Sequence, residues 1–240
     1  MAFGNDRRYM TTAQAEAAQI DVGLREYMLR VYNYMASGLA LTGIVALLVA
    51  SSPAMTQMIF GTPLKWVVMF APLAFVFFMS FKIETMKAST AQTLFWVFAA
   101  VMGASMASIF LVFTDASIAR TFFITAAAFA GLSLYGYTTK RDLSAFGTFL
   151  VMGLIGLIIA SIVNIFVQSS MMHFVISAAG VLIFAGLTAW DTQRIKEMYW
   201  ELDGGEVAKK KAVMGALALY LDFINLFMFL LQFLGVRRSE

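Results

Sequence analysis

The sequence contains no cysteine, a single histidine and few charged residues. Without cysteine, neither a disulfide framework nor a thiolate metal site can form. His173 stands alone, so a metal site built from two histidines is excluded. Charged residues make up only 13% of the chain, whereas a soluble domain carries about 25%. Hydrophobic residues make up 61%, and the composition therefore predicts a membrane protein.

Seven long apolar stretches are separated by short polar connections. A helix of about 20 apolar residues crosses the hydrocarbon core of a bilayer. We predict an all-α membrane protein, a seven-transmembrane helix bundle in one domain of residues 27–236. A polar cytoplasmic tail at 1–26 precedes it, and a short C-terminal tail at 237–240 follows it. The predicted spans are 28–50, 64–82, 91–113, 118–138, 145–168, 174–193 and 212–235.

Basic residues are divided unequally between the two sides of such a bundle. With the N-terminus inside, 13 of the 17 Lys and Arg residues lie in inside segments and four in outside segments. Cytoplasmic loops carry an excess of Lys and Arg, so we expect a cytoplasmic N-terminus. Arg237 and Arg238 argue against this, and would lie inside if the last span were re-entrant. Because the basic residues lie at helix ends, we expect no nucleic-acid partner.

An aspartate interrupts the last apolar stretch. Asp222 lies ten residues after Ala212, which corresponds to a depth of about 15 Å in a helix. An ionised carboxylate at that depth costs several kcal/mol unless it is paired, hydrated or protonated. Asn225 follows at i+3, on the same helical face. An acidic residue at membrane depth indicates a functional site.

A second acidic residue lies near the cytoplasmic end of the sixth span. Asp191 is followed at i+3 by Arg194, so it is either a helix-end ion pair or part of the site. If Asp191 and Asp222 met, they would repel and share a proton. Such a pair could sense pH, gate a path or weakly bind a hard cation such as Ca²⁺. The predicted spans place Asp191 close to the far interface, so contact requires a shifted or tilted sixth helix, or a water-filled vestibule.

Two other classes of membrane protein do not fit the sequence. The turn Gly131-Leu132-Ser133-Leu134 lacks the following glycine of a serine nucleophile motif. Seven spans are also typical of retinal proteins, but the last span has no internal lysine for a Schiff base. We therefore expect no enzymatic activity and no cofactor.

Three motifs resemble the Bax-inhibitor-like transmembrane family, also called TMBIM or YccA-like, and especially its bacterial members. They are LYLDFINLF at 219–227, WDTQRIK at 190–196 and TTKRDLS at 138–144. The resemblance implies a bundle with the last helix central, located in the bacterial inner membrane. It also implies a pH-sensitive calcium leak gated by an aspartate pair at Asp191 and Asp222. The family's type member latches this pair with an arginine near the end of the second helix, where this chain offers only Lys82.

These observations leave three functions open. The first is a pH-gated Ca²⁺ leak with Asp191 and Asp222 as sensor and gate, and with Lys82, Arg194 and Asn225 as supporting residues. The second is a regulatory protein that binds the membrane protease FtsH, as the resemblance implies for some bacterial relatives. The third is a proton-coupled carrier. We expect the lipid bilayer and Ca²⁺ as partners, and a monomer.

Overall fold

The computed structural model describes the backbone of residues 12–238 and the side chains from Val22 to Arg238. This part of the chain forms nine helices and, outside them, one isolated antiparallel bridge between Phe113 and Arg237. The helices are α1 (Thr12–Ser51), α2 (Pro53–Phe60), α3 (Leu64–Lys82), α4 (Ala88–Met106), α5 (Ile109–Val112), α6 (Asp115–Thr138), α7 (Ser144–Val167), α8 (Ser170–Glu197) and α9 (Gly205–Leu234).

Seven crossings are long and apolar enough to span a membrane, which confirms the predicted all-α membrane bundle. Helices α4 and α5 together make one crossing, Ala88–Val112, with a break after Met106. Helix α2 is a short addition in the first connection. Pro53 begins it, and the hydroxyl of Ser52 accepts a hydrogen bond from the backbone N–H of Met55. Proline suits the first helical turn because its missing N–H would be unpaired there.

The first helix begins much earlier than the sequence analysis placed it. Helix α1 is continuous from Thr12, so residues 12–26 of the expected tail are helical. The segment TAQAEAAQ contains four alanines, and alanine has the highest helix propensity. The rest of the expected tail, residues 1–11, lies outside the described residues.

Helix α9 is the most buried crossing. In its most apolar window 61% of the residues are buried, compared with 11–39% in the other six crossings. It packs against α1, α4, α6 and α8. Its Tyr220 is fully buried and meets the rings of Phe95 and Phe98 edge-on, with centroids 6.1 and 5.3 Å away. The hydroxyl of Thr42 donates to the carbonyl of Ala99 and therefore accepts from the hydroxyl of Tyr220, at 2.6 Å.

The bundle has two ends that α9 connects. At the N-terminal end, which carries the 82–88, 138–144 and 197–205 connections, Glu206 accepts a hydrogen bond from the backbone N–H of Ala88 at 2.8 Å. At the C-terminal end, which carries the 112–115 and 167–170 connections, Val236 is hydrogen-bonded to Ser117 and Thr114. Helix α9 is continuous between the two ends. The re-entrant alternative for the last span therefore does not fit the structure.

Glycines allow close helix approach at α1–α4 and at α6–α8. A Cβ at Gly103 would lie 2.6 Å from the carbonyl oxygen of Thr42, and one at Gly136 would lie 2.1 Å from that of Ala189. Gly131, which also lies in α6, has no heavy atom within 4 Å of its Cβ position. Of these two glycines of α6, only Gly136 lies at a close contact with a neighbouring helix.

Candidate functional site

The buried acid in the last crossing lies deep inside the bundle. Asp222 is 5% exposed, and its Oδ2 atom has no hydrogen-bond partner among the residues that the structure describes. Seventeen residues of α9 precede it and twelve follow it. A buried carboxylate without partners is costly, so this side chain depends on whatever charge or proton its neighbours supply.

Asp191 of α8 lies close to Asp222. It is 7% exposed, and the two carboxyl groups are near enough to interact electrostatically. The two helices run in opposite directions, as the pairing of Gly180 with Phe229 and of Ile195 with Gly215 shows. Each Cα–Cβ bond tilts toward the N-terminus of its own helix. The two side chains therefore converge although their backbones differ in level by about one turn.

The observed helix ends explain why Asp191, predicted near the membrane interface, lies close to Asp222, predicted near the middle of the membrane. Helix α8 continues to Glu197, so Asp191 lies six residues, about 9 Å, before its end. Helix α9 begins at Gly205, seven residues before the predicted start of the span. Both helices are longer at the N-terminal end than expected, which places Asp191 inside the bundle and in the half nearer that end.

Arg194 supplies the positive charge at this site. Its Nη2 atom lies 2.6 Å from Oδ1 of Asp191, but no N–H points at that oxygen, so the contact is an ion pair and not a hydrogen bond. The guanidinium stacks on the ring of Trp190, with 4.7 Å between Cζ and the ring centroid. The Arg194 side chain is 47% exposed, whereas that of Asp191 is 11% exposed. Arg194 therefore lies on the outer side of the acidic pair, toward the surface of the protein.

The other two supporting residues make no side-chain hydrogen bond or ion pair with Asp191 or Asp222 in the described part of the chain. Lys82 is exposed at the end of α3 and makes no ion pair with an acid in the described part of the chain. The cation that contacts Asp191 in this structure is Arg194 of α8, and a latch role for Lys82 stays a prediction. Asn225 donates its amide to the carbonyl of Leu221 at 2.7 Å, within its own helix.

The pair offers few ligands for a metal ion. Among the side chains that the structure describes, from Val22 to Arg238, there is no group of three or more His, Asp or Glu that could hold one. Two carboxylates supply at most four oxygens, whereas Ca²⁺ takes about six to eight. Water would have to complete the coordination, so the donor set fits a transient Ca²⁺ contact and not a resident ion.

A chain of hydroxyl groups next to Asp191 was not predicted from the sequence. Thr192 donates to the carbonyl of Thr188, so Ser133 donates to Thr192 at 2.9 Å, and Tyr32 donates to Ser133 at 2.6 Å. The chain links α1, α6 and α8 at the level of the acidic pair. Hydroxyl residues on three separate helices have no common spacing in the sequence, and so no pattern could reveal this contact.

Two of the motifs that suggested a family contact each other. Gln193 of the WDTQRIK motif accepts from the backbone N–H of Leu143 and donates to the carbonyl of Arg141, both at 2.8 Å. Both partners belong to the TTKRDLS motif. Lys196 also donates to the carbonyl of Tyr137 at 2.9 Å. The 138–144 connection is thus fixed to the helix that carries Asp191.

In the described part of the chain, the fold and the site together define an α-helical membrane protein with seven crossings and two buried aspartates. The family model described as "Inhibitor of apoptosis-promoting Bax1" matches residues 24–239. The chain therefore belongs to the Bax1-I family, which confirms the resemblance inferred from the three motifs.

Relatives support this assignment over nearly the whole chain. An uncharacterized protein of Rickettsia prowazekii is 50% identical over 230 residues, which cover 95% of this chain and 97% of the relative. An uncharacterized protein of Caulobacter vibrioides is 47% identical and covers 98% of each chain. The inner membrane protein YbhL of Escherichia coli K12 is 44% identical over 90% of this chain and 94% of its own length.

Proposed function

We propose that this protein is a pH-sensitive Ca²⁺ leak of the bacterial inner membrane, gated by Asp191 and Asp222. The observation that supports it most is two neighbouring buried carboxyl groups, one of which, that of Asp191, forms an ion pair with the partly exposed Arg194. A buried charge that only held the fold together would be better replaced by an apolar side chain. The family resemblance points to the same residues.

The gating argument follows from electrostatics. Two like charges in contact at low dielectric cannot both remain ionised without cost, so the pair shares a proton. Gain or loss of that proton changes the local charge by one unit. The change alters how strongly the pair holds Arg194 or a passing cation, and a two-state helix arrangement responds to such a difference.

The packing between the acidic pair and the C-terminal end of the bundle supports a closed conformation for ions. Between the pair and the C-terminal end lies an apolar cluster on α7, α8 and α9. The rings of Phe184 and Phe229 stack there with centroids 5.7 Å apart. A hydrated ion cannot cross packed apolar side chains without losing its water. Conduction therefore requires these helices to separate. The buried members of the cluster are Leu150, Leu157, Ile176, Phe184, Leu187 and Leu226.

We infer that the N-terminal end of the bundle faces the cytoplasm. The excess of basic residues at that end supports this orientation. The absence of cysteine makes the test direct, because a single introduced cysteine has no background. Lys209→Cys should be protected from a membrane-impermeant maleimide in intact cells, and Gln168→Cys should react. The opposite labelling pattern would contradict the orientation.

The function is tested by Ca²⁺ flux into liposomes that contain the purified protein, measured with an enclosed Ca²⁺ indicator between pH 5 and pH 8. We expect flux above that of protein-free liposomes, with a clear pH dependence. Asp222→Asn preserves the shape of the side chain but removes its titration. It should therefore flatten the profile. Flux equal to that of empty liposomes at every pH would contradict the proposal.

A further inference from the structure

An open groove lies between α1 and α6, close to the N-terminal end of the bundle. Its volume is about 520 Å³, within the range of about 300–1,000 Å³ that is typical of small-molecule sites. Buried Met28 and Phe129 form its floor, and Leu29 and Leu134 form its edges, with 51% and 62% of each residue exposed. Both edges belong to membrane crossings. The groove is therefore open toward the acyl chains of the bilayer.

The sides of the groove are apolar, but polar side chains lie at its outer end and about two helical turns deeper. Arg25 lies at its outer end, three residues into the first crossing, and is exposed. Residues at that position in a crossing lie at the level of the lipid headgroups. Tyr32 and Ser133 lie about two turns deeper and are bonded to each other. A ligand with an anionic head and an apolar tail would match this order of groups.

We propose that the groove binds one anionic phospholipid, with an acyl chain between the leucine edges and the phosphate against Arg25. Basic pockets between transmembrane helices are typical binding sites for anionic headgroups. Ala130 makes the space available, because its small side chain lines the groove between Phe129 and Ser133. This inference concerns the surface of the bundle and does not depend on ion flux.

The acyl-chain part of the proposal is tested by filling the groove. Native mass spectrometry of the full-length protein, with dioleoyl phosphatidylglycerol as the probe, would count bound lipid. Ala130→Trp should lose the tightly bound lipid. Ala128→Trp is the matched control, because Ala128 is exposed on α6 but does not line the groove. Equal lipid binding by the two tryptophan variants would overturn the proposal.

The headgroup part is tested by charge removal and does not require the tryptophan variant to fold. Wild-type protein should prefer dioleoyl phosphatidylglycerol over dioleoyl phosphatidylcholine. Arg25→Gln should reduce that preference about five-fold, the effect of one basic residue near an anionic lipid surface. Arg30→Gln removes the same charge from an exposed position of α1 outside the groove and should retain the preference. An unchanged preference in Arg25→Gln, or no preference in the wild type, would refute anionic headgroup recognition.

Discussion

Replacement of Arg194 by glutamine should shift the pH at which the protein gates. Arg194 is the cation that contacts Asp191, at 2.6 Å between Nη2 and Oδ1. Glutamine removes the charge but keeps much of the length of the side chain and its ability to cover Trp190. The variant therefore tests the charge and disturbs the packing little.

The size of the shift can be worked out from the contact. Two unit charges about 4 Å apart interact by about 4 kcal/mol at an effective dielectric of 20. The Arg194 side chain is 47% exposed, and solvent screening reduces such contacts strongly, so we take about 1–2 kcal/mol. Because about 1.4 kcal/mol corresponds to one pH unit, the midpoint of the flux profile should move by about one unit. It should move to higher pH, since loss of the cation favours the protonated pair.

The assay is the liposome Ca²⁺ flux profile, with Lys82→Gln as the matched control. Lys82 is a cation at the same end of the bundle, but it is exposed and forms no ion pair with an acid in the described residues. Its replacement should leave the midpoint within about 0.2 unit, in keeping with the small energies of exposed charges. An unshifted midpoint in Arg194→Gln, or an equal shift in both variants, would refute the role of Arg194.

Three further predictions follow from the fold. Gly136→Ala should lower the free energy of unfolding by about 1–3 kcal/mol, because the added Cβ would overlap the carbonyl of Ala189. The control Gly131→Ala has open space around the added Cβ and should be neutral or stabilising by up to about 1 kcal/mol. Thermal unfolding followed by circular dichroism measures both variants. Hydrogen bonds from Ser144 lower the pKa of Asp142, so its contribution is present above the ordinary aspartate pKa of about 3.9 and is lost on acidification below it. The melting temperature of Asp142→Asn should therefore lie below that of the wild type at pH 6 and approach it at pH 3, and a constant difference would contradict this. Deletion of residues 1–11 should leave Ca²⁺ flux unchanged, and a co-purification assay should show weaker association with FtsH if that protease is a partner. Lost flux with retained association would contradict both expectations.

The sequence predicted the features that depend on composition and local pattern. Apolar runs of about 20 residues identify membrane crossings because the bilayer core sets their length. For the same reason Asp222 stood out as a charge inside such a run. The three motifs were sufficient to recognise the family, which the match over residues 24–239 confirms.

Features that depend on packing between helices could not be predicted in the same way. Asp191 has two equal interpretations in the sequence, since the i+3 spacing to Arg194 is common to structural and functional ion pairs. Lys82 was considered as a latch from its place in the second crossing, but its exposed position depends on how α3 packs. The start of α1 is not visible in the hydrophobic pattern, because the alanine-rich first turns of this helix carry polar residues.

The most direct test of the central claim is whether Asp191 and Asp222 act as one titrating unit. The measurement is the pH profile of Ca²⁺ flux for Asp191→Asn, Asp222→Asn and the double variant, reconstituted at equal protein density. If the two acids share a proton, each single variant removes the pH dependence and the double variant adds little, because the effects of coupled groups are not additive. Single variants that each keep a full pH response, or whose effects simply add in the double variant, would contradict the account.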